Sequence, residues 1–173
     1  AFACMYWKNR PRCGIAATKQ NLTDRLIACC AEAMHLFKGA MTDSERIPVI
    51  IGVGQINDRP EDPDNGLDPL GLMVEALKRA EADTGVTLLK KLDSIAVVDQ
   101  ISFRHLNPLA AKLAEALGAT PAVCYQSDAA HGDTPIRLLN EAANRIGAGE
   151  IKLAAIAGAE ALRTIAGRLA KHA

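Results

Sequence analysis

Residues 122–161 read AVCYQSDAAHGDTPIRLLNEAANRIGAGEIKLAAIAGAEA, and this stretch decides the fold. It predicts a strand over residues 122–127, a polar turn, an amphipathic helix over residues 133–148 and a second strand over residues 151–158. The second strand has no polar face, which is expected where helices cover both sides of a parallel sheet. The stretch is therefore predicted to be a βαβ unit.

The predicted helix carries apolar side chains at steps of three and four residues. Ile136, Leu139, Ala143 and Ile146 are expected to form one face that packs on the sheet. Gly149 follows the helix and is expected to end it, because glycine adopts the left-handed conformation without strain.

The same alternation of strands and helices extends over residues 48–161. Further strands are predicted over residues 48–54 and 93–100, further helices over residues 68–85 and 107–118, and a short helical turn over residues 88–92. Asp68 and Asn107, each followed by proline, are predicted to cap the two helices. This order predicts an α/β fold with a mostly parallel sheet, helices on both faces and right-handed crossovers.

Composition limits the classes of partner. The chain has 173 residues, of which 49% are hydrophobic, enough for one globular domain with a core. Its formal net charge is zero, so charge gives no reason to expect a nucleic acid or a membrane surface as partner. No apolar run approaches the length of a membrane-spanning helix.

The first 41 residues differ from the rest of the chain. They hold six Lys or Arg against two Asp or Glu, a net charge of +4, so residues 42–173 carry −4. They also hold four of the five cysteines, without the C-x-x-C spacing of a zinc site, which indicates free thiols in a reducing, cytoplasmic setting. We predict an N-terminal extension over residues 1–41, poorly ordered apart from a helix over residues 22–37. The domain would occupy residues 42–173.

Two glycines, Gly52 and Gly54, stand at the end of the first predicted strand. They could belong to a dinucleotide-binding site, and the protein would then be a nicotinamide-dependent oxidoreductase. Asn57 stands where the third glycine of that fingerprint belongs, and a loop rather than a helix follows. Glycines that let a strand end and turn are the favoured alternative.

The turn His131-Gly132-Asp133-Thr134 precedes the predicted helix of the βαβ unit and is our candidate site. Free amides and the helix dipole at such a terminus favour an anion, an oxyanion or a thiolate. The alternative is ordinary capping, in which Asp133 or Thr134 accepts a hydrogen bond from the first turn and His131 is only a polar turn residue.

Two weaker constellations remain. Ser127, Asp128 and His131 contain the side chains of a hydrolase triad, but they lie too close in sequence and no G-x-S-x-G elbow is present. Arg104 and His105 precede the second helix, where arginine would hold a phosphate and histidine would titrate near neutral pH. A solvated loop is the default interpretation of that pair.

Several of these segments together resemble the thiolase superfamily, in particular its divergent acetyl-CoA acetyltransferase-like branch. The run N-E-A-A-N-R-I-G-A-G-E at residues 140–150, followed by an apolar strand and A-G-A-E-A, resembles the nucleophile helix and following strand of that family. The strand at residues 47–54, Glu75-Ala76-Leu77, and Asn107-Pro108-Leu109-Ala110 also match. The resemblance covers residues 46–162, the N-terminal half of such a protein.

The resemblance implies an αβαβα thiolase-like half and transfer of an acyl group from a coenzyme A thioester, as in lipid metabolism, with no bound cofactor or metal. The family's nucleophilic cysteine falls on Gly132 in this chain, and the nearest cysteine, Cys124, is expected to be buried in the preceding strand. Glycine offers no side chain for covalent acyl transfer. We therefore expect an acyltransferase homologue that is inactive alone, with the turn at residues 131–134 as an oxyanion site.

The alternative implied by the resemblance is a non-catalytic module that binds coenzyme A esters or dimerises. Members of the family pair through the edge strand that precedes the nucleophile helix, here residues 122–127, so a homodimer is expected. The fifth strand and the second half of the family's fold find no counterpart in the sequence, so the strand over residues 151–158 is expected to lie open to association.

Overall fold

A computed structural model describes residues 1–7 and 47–171, and five strands form one mixed sheet within these ranges. The strands are β1 (Phe2–Trp7), β2 (Val49–Gln55), β3 (Ser94–Val97), β4 (Val123–Gln126) and β5 (Leu153–Gly158). Their order across the sheet is β2-β1-β5-β3-β4. Strands β3, β4 and β5 are parallel, whereas β1 runs antiparallel to both of its neighbours.

Helices alternate with the strands from β2 onward, as the sequence predicts. They are α1 (Pro69–Thr84), α2 (Leu109–Leu117), α3 (Thr134–Ala148) and α4 (Leu162–Lys171), with short 3-10 helices at Pro63–Asn65, Leu89–Lys91 and Arg104–Leu106. The series β2-α1-β3-α2-β4-α3-β5 confirms the predicted alternation. Helix α4 was not predicted from the sequence. The predicted helix over residues 22–37 and the predicted boundary at residue 41 lie outside the described residues.

Hydrophobic cores lie on both faces of the sheet. On one face, α1 and α2 pack against alternate strand residues, and on the other face α3 packs against the residues between them. The first core includes Met73, Leu77, Leu109, Leu113, Ile95, Ala155 and Ala157, and the second includes Leu138, Ala142, Ile146, Ala154 and Ile156. This arrangement confirms a mostly parallel sheet with helices on both faces.

The buried stripe of α3 differs from the predicted one. Thr134, Leu138, Ala142 and Ile146 are buried, in steps of four residues, whereas Ile136 is 59% exposed. Both stripes contain Ile146 and have helical spacing, so periodicity alone does not choose between them. The position of α3 over β3 and β5 decides which stripe faces the sheet.

The two predicted helix caps have different outcomes. Asp68 caps α1, because its Oδ1 accepts a hydrogen bond from the Gly71 N–H at 2.8 Å. Asn107 does not cap α2, whose first turn receives no side-chain cap from Pro108. The Asn107 side chain instead donates a hydrogen bond to Asp99 Oδ1 at 3.0 Å, so it stabilises the loop between β3 and α2 and does not cap the helix.

Strand β1 lies at the start of the predicted N-terminal extension, where no strand was predicted, and the extension itself stays a prediction. Residues Phe2–Trp7 pair with β2 on one side and with β5 on the other. The sequence of this segment, FACMYW, has no alternation of apolar and polar residues and no flanking turn signal, so its strand was not recognised. With β1 in this place, β5 does not lie open as predicted, since it pairs with β1 and β3 and is buried along its whole length.

Gly52 and Gly54 lie inside β2 rather than at its end, which corrects the expectation that they let the strand turn. A Cβ atom at Gly52 would stand 2.3 Å from the carbonyl oxygen of Ala80, and one at Gly54 would stand 2.0 Å from that of Ala76. Helix α1 therefore rests directly on the backbone of β2. The glycines serve this close packing, and no helix N-terminus follows them as a dinucleotide site requires.

Helix α4 is held against the loop that follows β2. Arg163 donates a hydrogen bond to the carbonyl oxygen of Pro60 at 2.8 Å. Near the end of the helix, Lys171 Nζ lies 2.8 Å from Asp62 Oδ2 and 2.9 Å from Asp64 Oδ2. We call Asp62, Asp64 and Lys171 the acidic clasp, and it joins residues that are far apart in the sequence.

Candidate functional site

A cleft of about 430 Å³ opens where the parallel strands reach their carboxyl ends. Ligands of open α/β sheets bind outside the carboxyl ends of the strands, so this is the expected place for a site. The residues that line it are Ala1, Val98, Asp99, Ile101, Ala130, His131, Gly132, Gly158, Ala159 and Glu160.

Three chain segments converge on the cleft because their strands are parallel neighbours. Asp99 follows the end of β3, Glu160 follows the end of β5, and His131 and Gly132 belong to the turn between β4 and α3. The structure thus brings two of the four predicted site residues, His131 and Gly132, to the cleft. Asp133 and Thr134 are not among its lining residues.

Gly132 leaves free space at the wall of the cleft. A Cβ atom built at this position meets no atom within 4 Å, in contrast to the crowded glycines of β2. The backbone of Gly132 is also outside the left-handed region, so an ordinary L-residue would fit without strain. The position would accept a side chain that projects into open space.

The helix terminus supplies fewer free amides than the sequence suggests. Thr134 N–H donates to the His131 carbonyl at 3.2 Å, and the Ile136 and Arg137 N–H groups donate to the Asp133 carbonyl at 3.0 Å. Pro135 has no N–H. Within the described part of the chain, no protein acceptor is found for the N–H groups of Gly132 and Asp133, and both residues are exposed.

The capping alternative for the same turn is wrong in its detail. Asp133 is the N-cap residue, but its side chain accepts no hydrogen bond from the helix. Thr134 is 1% exposed, and its hydroxyl donates to the Ala129 carbonyl at 3.4 Å. The Thr134 side chain therefore links the end of the turn to Ala129 at its beginning. The first helical hydrogen bonds are accepted by the backbone carbonyl of Asp133 and not by its carboxylate.

Asp99 is a cleft residue that the sequence analysis missed. Its Oδ1 accepts hydrogen bonds from Asn107 Nδ2 at 3.0 Å and from Gln126 Nε2 at 2.7 Å, and its N–H donates to Ser127 Oγ at 2.8 Å. A buried residue, Gln100, continues this network by donating to Asn107 Oδ1 at 3.0 Å. The signal in the sequence was the polar pair Asp99-Gln100 directly after an apolar strand.

Glu160 anchors the loop that forms one wall of the cleft. Its carboxylate accepts hydrogen bonds from the N–H groups of Ile101 at 2.8 Å and Ser102 at 3.2 Å. Ser102 Oγ in turn accepts a hydrogen bond from the Ala161 N–H at 3.1 Å. These contacts join the loop after β3 to the segment after β5, and they hold the carboxylate of Glu160 at the cleft.

The other candidates do not meet at the cleft. Ser127 is buried, and its hydroxyl donates to the Ala129 carbonyl at 3.1 Å, so it does not form a triad with His131. Arg104 and His105 are exposed on the loop before α2, where the His105 ring lies 5.7 Å from the Phe103 ring. Cys124 is exposed on β4, which corrects the expectation that it is buried.

Within residues 1–7 and 47–171, no three His, Cys, Asp or Glu residues are grouped closely enough to hold a metal ion. No helix there has both the length and the apolar character needed to cross a membrane. The cytoplasmic location inferred from the cysteines stays a prediction.

Comparison with solved structures identifies the fold. The chain is similar to a monomeric SCP2-thiolase like protein of type 1 from Mycobacterium smegmatis, at 28% sequence identity and a TM-score of 0.56. The match covers 65% of this chain and 23% of that protein, so the chain spans about a quarter of its length. No protein-family model and no curated protein matches the chain. The thiolase-like α/β fold is thus confirmed.

Proposed function

We propose that this chain is the part of an acyltransferase homologue that binds a coenzyme A thioester in the cleft, without forming a covalent acyl-enzyme there. The observation that carries the proposal is Gly132, which lies in the wall of the cleft at the start of α3 with open space where a side chain would stand. The resemblance of the surrounding sequence to the thiolase superfamily places the nucleophilic cysteine of that family at this position.

The carbonyl oxygen of a thioester is the group that this site would recognise. The N–H groups of Gly132 and Asp133 are exposed and donate to no protein acceptor among the described residues. Two such donors at the start of a helix stabilise partial negative charge on an oxygen. His131, in the same turn, would be a polar neighbour of the bound thioester.

None of the described residues that line the cleft is a cysteine, serine or threonine, the side chains that commonly carry an acyl group. Glycine has no side chain, and Cys124, the described cysteine nearest in sequence, lies on β4 and does not line the cleft. Binding without chemistry is therefore the function that we assign to the cleft. Acyl transfer by a longer protein would require a nucleophile from another segment.

Calorimetric titration with acetyl-CoA tests this proposal directly. We expect saturable binding to the wild-type chain, retention of binding in Gly132→Ala and loss of at least tenfold in affinity in Gly132→Leu, whose side chain would fill the cleft. Free coenzyme A and NADH serve as control ligands. Equal binding by both variants, or tighter binding of NADH than of acetyl-CoA, would rule out the thioester site.

A homodimer through β4 is a second proposal about the same protein. The strand is at the edge of the sheet, and Cys124 and Tyr125 are exposed on it, so its backbone groups are available for pairing with a second copy. Sedimentation should show a dimer that Tyr125→Pro dissociates, because proline cannot donate to a strand ladder. A monomer for the wild-type chain at moderate concentration would exclude this pairing.

A further inference from the structure

Asp99 is a cleft side chain whose hydrogen-bonding capacity is only partly used. The residue is half-buried and lines the cleft directly beyond the end of β3. Its Oδ1 accepts the hydrogen bonds from Asn107 and Gln126 that are described above. Within the described part of the chain, no group donates a hydrogen bond to Oδ2, although both oxygens of an ionised carboxylate are acceptors. One acceptor oxygen at the cleft is therefore left for a ligand or for water.

Two side-chain amides hold this carboxylate in place. Each amide uses its own oxygen in another bond: Gln126 Oε1 accepts from the Leu109 N–H at 2.5 Å, and Asn107 Oδ1 accepts from Gln100 Nε2 at 3.0 Å. Neither amide can turn over without losing that bond, so both present their NH2 groups to Asp99. An acceptor that is fixed before the ligand arrives requires less ordering on binding.

The other carboxylate of the cleft, Glu160, is already occupied on both oxygens. Oε1 accepts a hydrogen bond from the Ile101 N–H, and Oε2 accepts one from the Ser102 N–H. Glu160 therefore serves the loop that forms the wall of the cleft. Asp99 is the cleft carboxylate with an unoccupied oxygen.

A thioester group alone does not match this arrangement. Its carbonyl oxygen is an acceptor and would use the N–H groups of Gly132 and Asp133, but it carries no hydrogen for Asp99. A carboxylate oxygen that loses its water without gaining a donor weakens binding. A ligand that satisfies both parts of the cleft needs an N–H or O–H group close to its thioester.

We infer that Asp99 Oδ2 accepts a hydrogen bond from such a donor, and that the protein selects thioesters by it. This inference rests on the proposed thioester site. Two groups of a coenzyme A ester can supply the donor, and they offer Asp99 the same chemistry. One is the pantetheine amide N–H nearest the sulfur, and the other is a hydroxyl on the acyl chain, as in a 3-hydroxyacyl thioester.

Asp99→Asn separates this role from the role of Asp99 in folding. Asparagine keeps one oxygen for the amides of Asn107 and Gln126 but replaces Oδ2 with an NH2 group, which donates. Its midpoint of urea unfolding should stay close to that of the wild type. Its affinity for the recognised thioester should fall at least tenfold, because a charge-assisted hydrogen bond is lost and two donors then face each other. Asp128→Asn is the matched control, since Asp128 is exposed in the neighbouring turn and does not line the cleft.

Three ligands in calorimetric titrations distinguish the two sources of the donor: butyryl-CoA, 3-hydroxybutyryl-CoA, and butyryl-CoA methylated on the amide nitrogen nearest the sulfur. If the acyl hydroxyl is the donor, the wild type should bind 3-hydroxybutyryl-CoA at least tenfold more tightly than butyryl-CoA. If the pantetheine amide is the donor, methylation should weaken binding to the wild type at least tenfold. In either case Asp99→Asn should bind the two members of the decisive pair alike, and Asp128→Asn should behave as the wild type does.

Equal affinity of the wild type for all three ligands overturns the inference, whether or not Asp99→Asn folds. It is also overturned if folded Asp99→Asn binds every ligand as tightly as the wild type, or if Asp128→Asn loses as much affinity. Thioester binding that does not depend on Asp99 would leave the proposed function standing and remove only this role. If no thioester binds the wild-type chain, the proposed function fails and this inference fails with it.

Discussion

Replacing Gly54 with alanine should lower the free energy of unfolding, because α1 packs directly on the backbone of β2 at this position. The new Cβ would stand 2.0 Å from the Ala76 carbonyl oxygen and 2.6 Å from the Ala80 backbone nitrogen. Both obstructing atoms belong to the main chain, so no side-chain rotation can relieve the contact. The strand or the helix must move by more than 1 Å to reach an ordinary van der Waals distance.

That movement disturbs the largest core of the described structure. Ala76, Leu77 and Ala80 of α1 are completely buried, so a shift of the helix affects many contacts at once. Overpacking of this kind costs about 1–3 kcal/mol. Alanine also lowers the entropy of the unfolded chain, which offsets about 0.4–1 kcal/mol of that cost. Because a 2.0 Å contact with main-chain atoms places the cost near the upper end of its range, we expect a net loss of about 2 kcal/mol in the free energy of unfolding.

Urea unfolding followed by circular dichroism measures this loss. With a slope of about 2 kcal/mol per molar urea, the midpoint for Gly54→Ala should fall by about 1 M. Gly132→Ala is the matched control, because its Cβ meets nothing within 4 Å and its backbone needs no glycine, so it should raise stability by about 0.4–1 kcal/mol. Equal midpoints for the two variants would refute the inference that α1 rests on the backbone of β2.

The remaining predictions concern the cleft and the acidic clasp. Gly132→Cys in a Cys124→Ser background should gain the mass of an acetyl group on incubation with acetyl-CoA, whereas the Cys124→Ser chain should not; no adduct would count against a thioester beside this position. Asp99→Ala should lower the free energy of unfolding by about 1–3 kcal/mol in the same urea assay, because it removes the oxygen that accepts hydrogen bonds from the Asn107 and Gln126 side-chain amides. The hydrogen bond from Lys171 lowers the pKa of Asp62, and the same bond raises the pKa of Lys171. The contribution of Asp62 to the free energy of unfolding is therefore present above about pH 4, the ordinary pKa of an aspartate, and is lost as the pH falls through its lowered pKa. The contribution of Lys171 is present below about pH 10.4, the ordinary pKa of a lysine, and is lost as the pH rises through its raised pKa. Thermal unfolding of Lys171→Met should vary less with pH in both windows than that of the wild type, and identical profiles would show that the clasp does not contribute.

Periodic segments were predicted well because their signal is local. The spacing of apolar residues in α1, α2 and α3 indicates helices, and Gly85, Gly118 and Gly149 end them in the left-handed conformation. Polar turns separate them from short apolar strands. The βαβ arrangement follows, because alternating strands and helices form parallel sheets with the helices packed on the faces.

The candidate site was predicted in part for the same reason. His131 and Gly132 precede a recognisable helix, so their position at its start is readable from the sequence. Asp99 and Glu160 lie 61 positions apart and reach the cleft only because β3 and β5 are parallel neighbours. No local sequence pattern in either segment predicts that Asp99 and Glu160 lie at the same cleft, because this depends on which strands pair.

The amino-acid sequence alone was sufficient for the elements, their order along the chain and the α/β class, because dihedral preferences and side-chain spacing act over a few residues. Only the tertiary structure placed residues 2–7 between β2 and β5, explained Gly52 and Gly54 by the contact of α1, and assigned Asn107 to Asp99 rather than to a helix cap. These features depend on pairing and close packing between distant segments, and the free energy that selects them becomes available only when the segments meet.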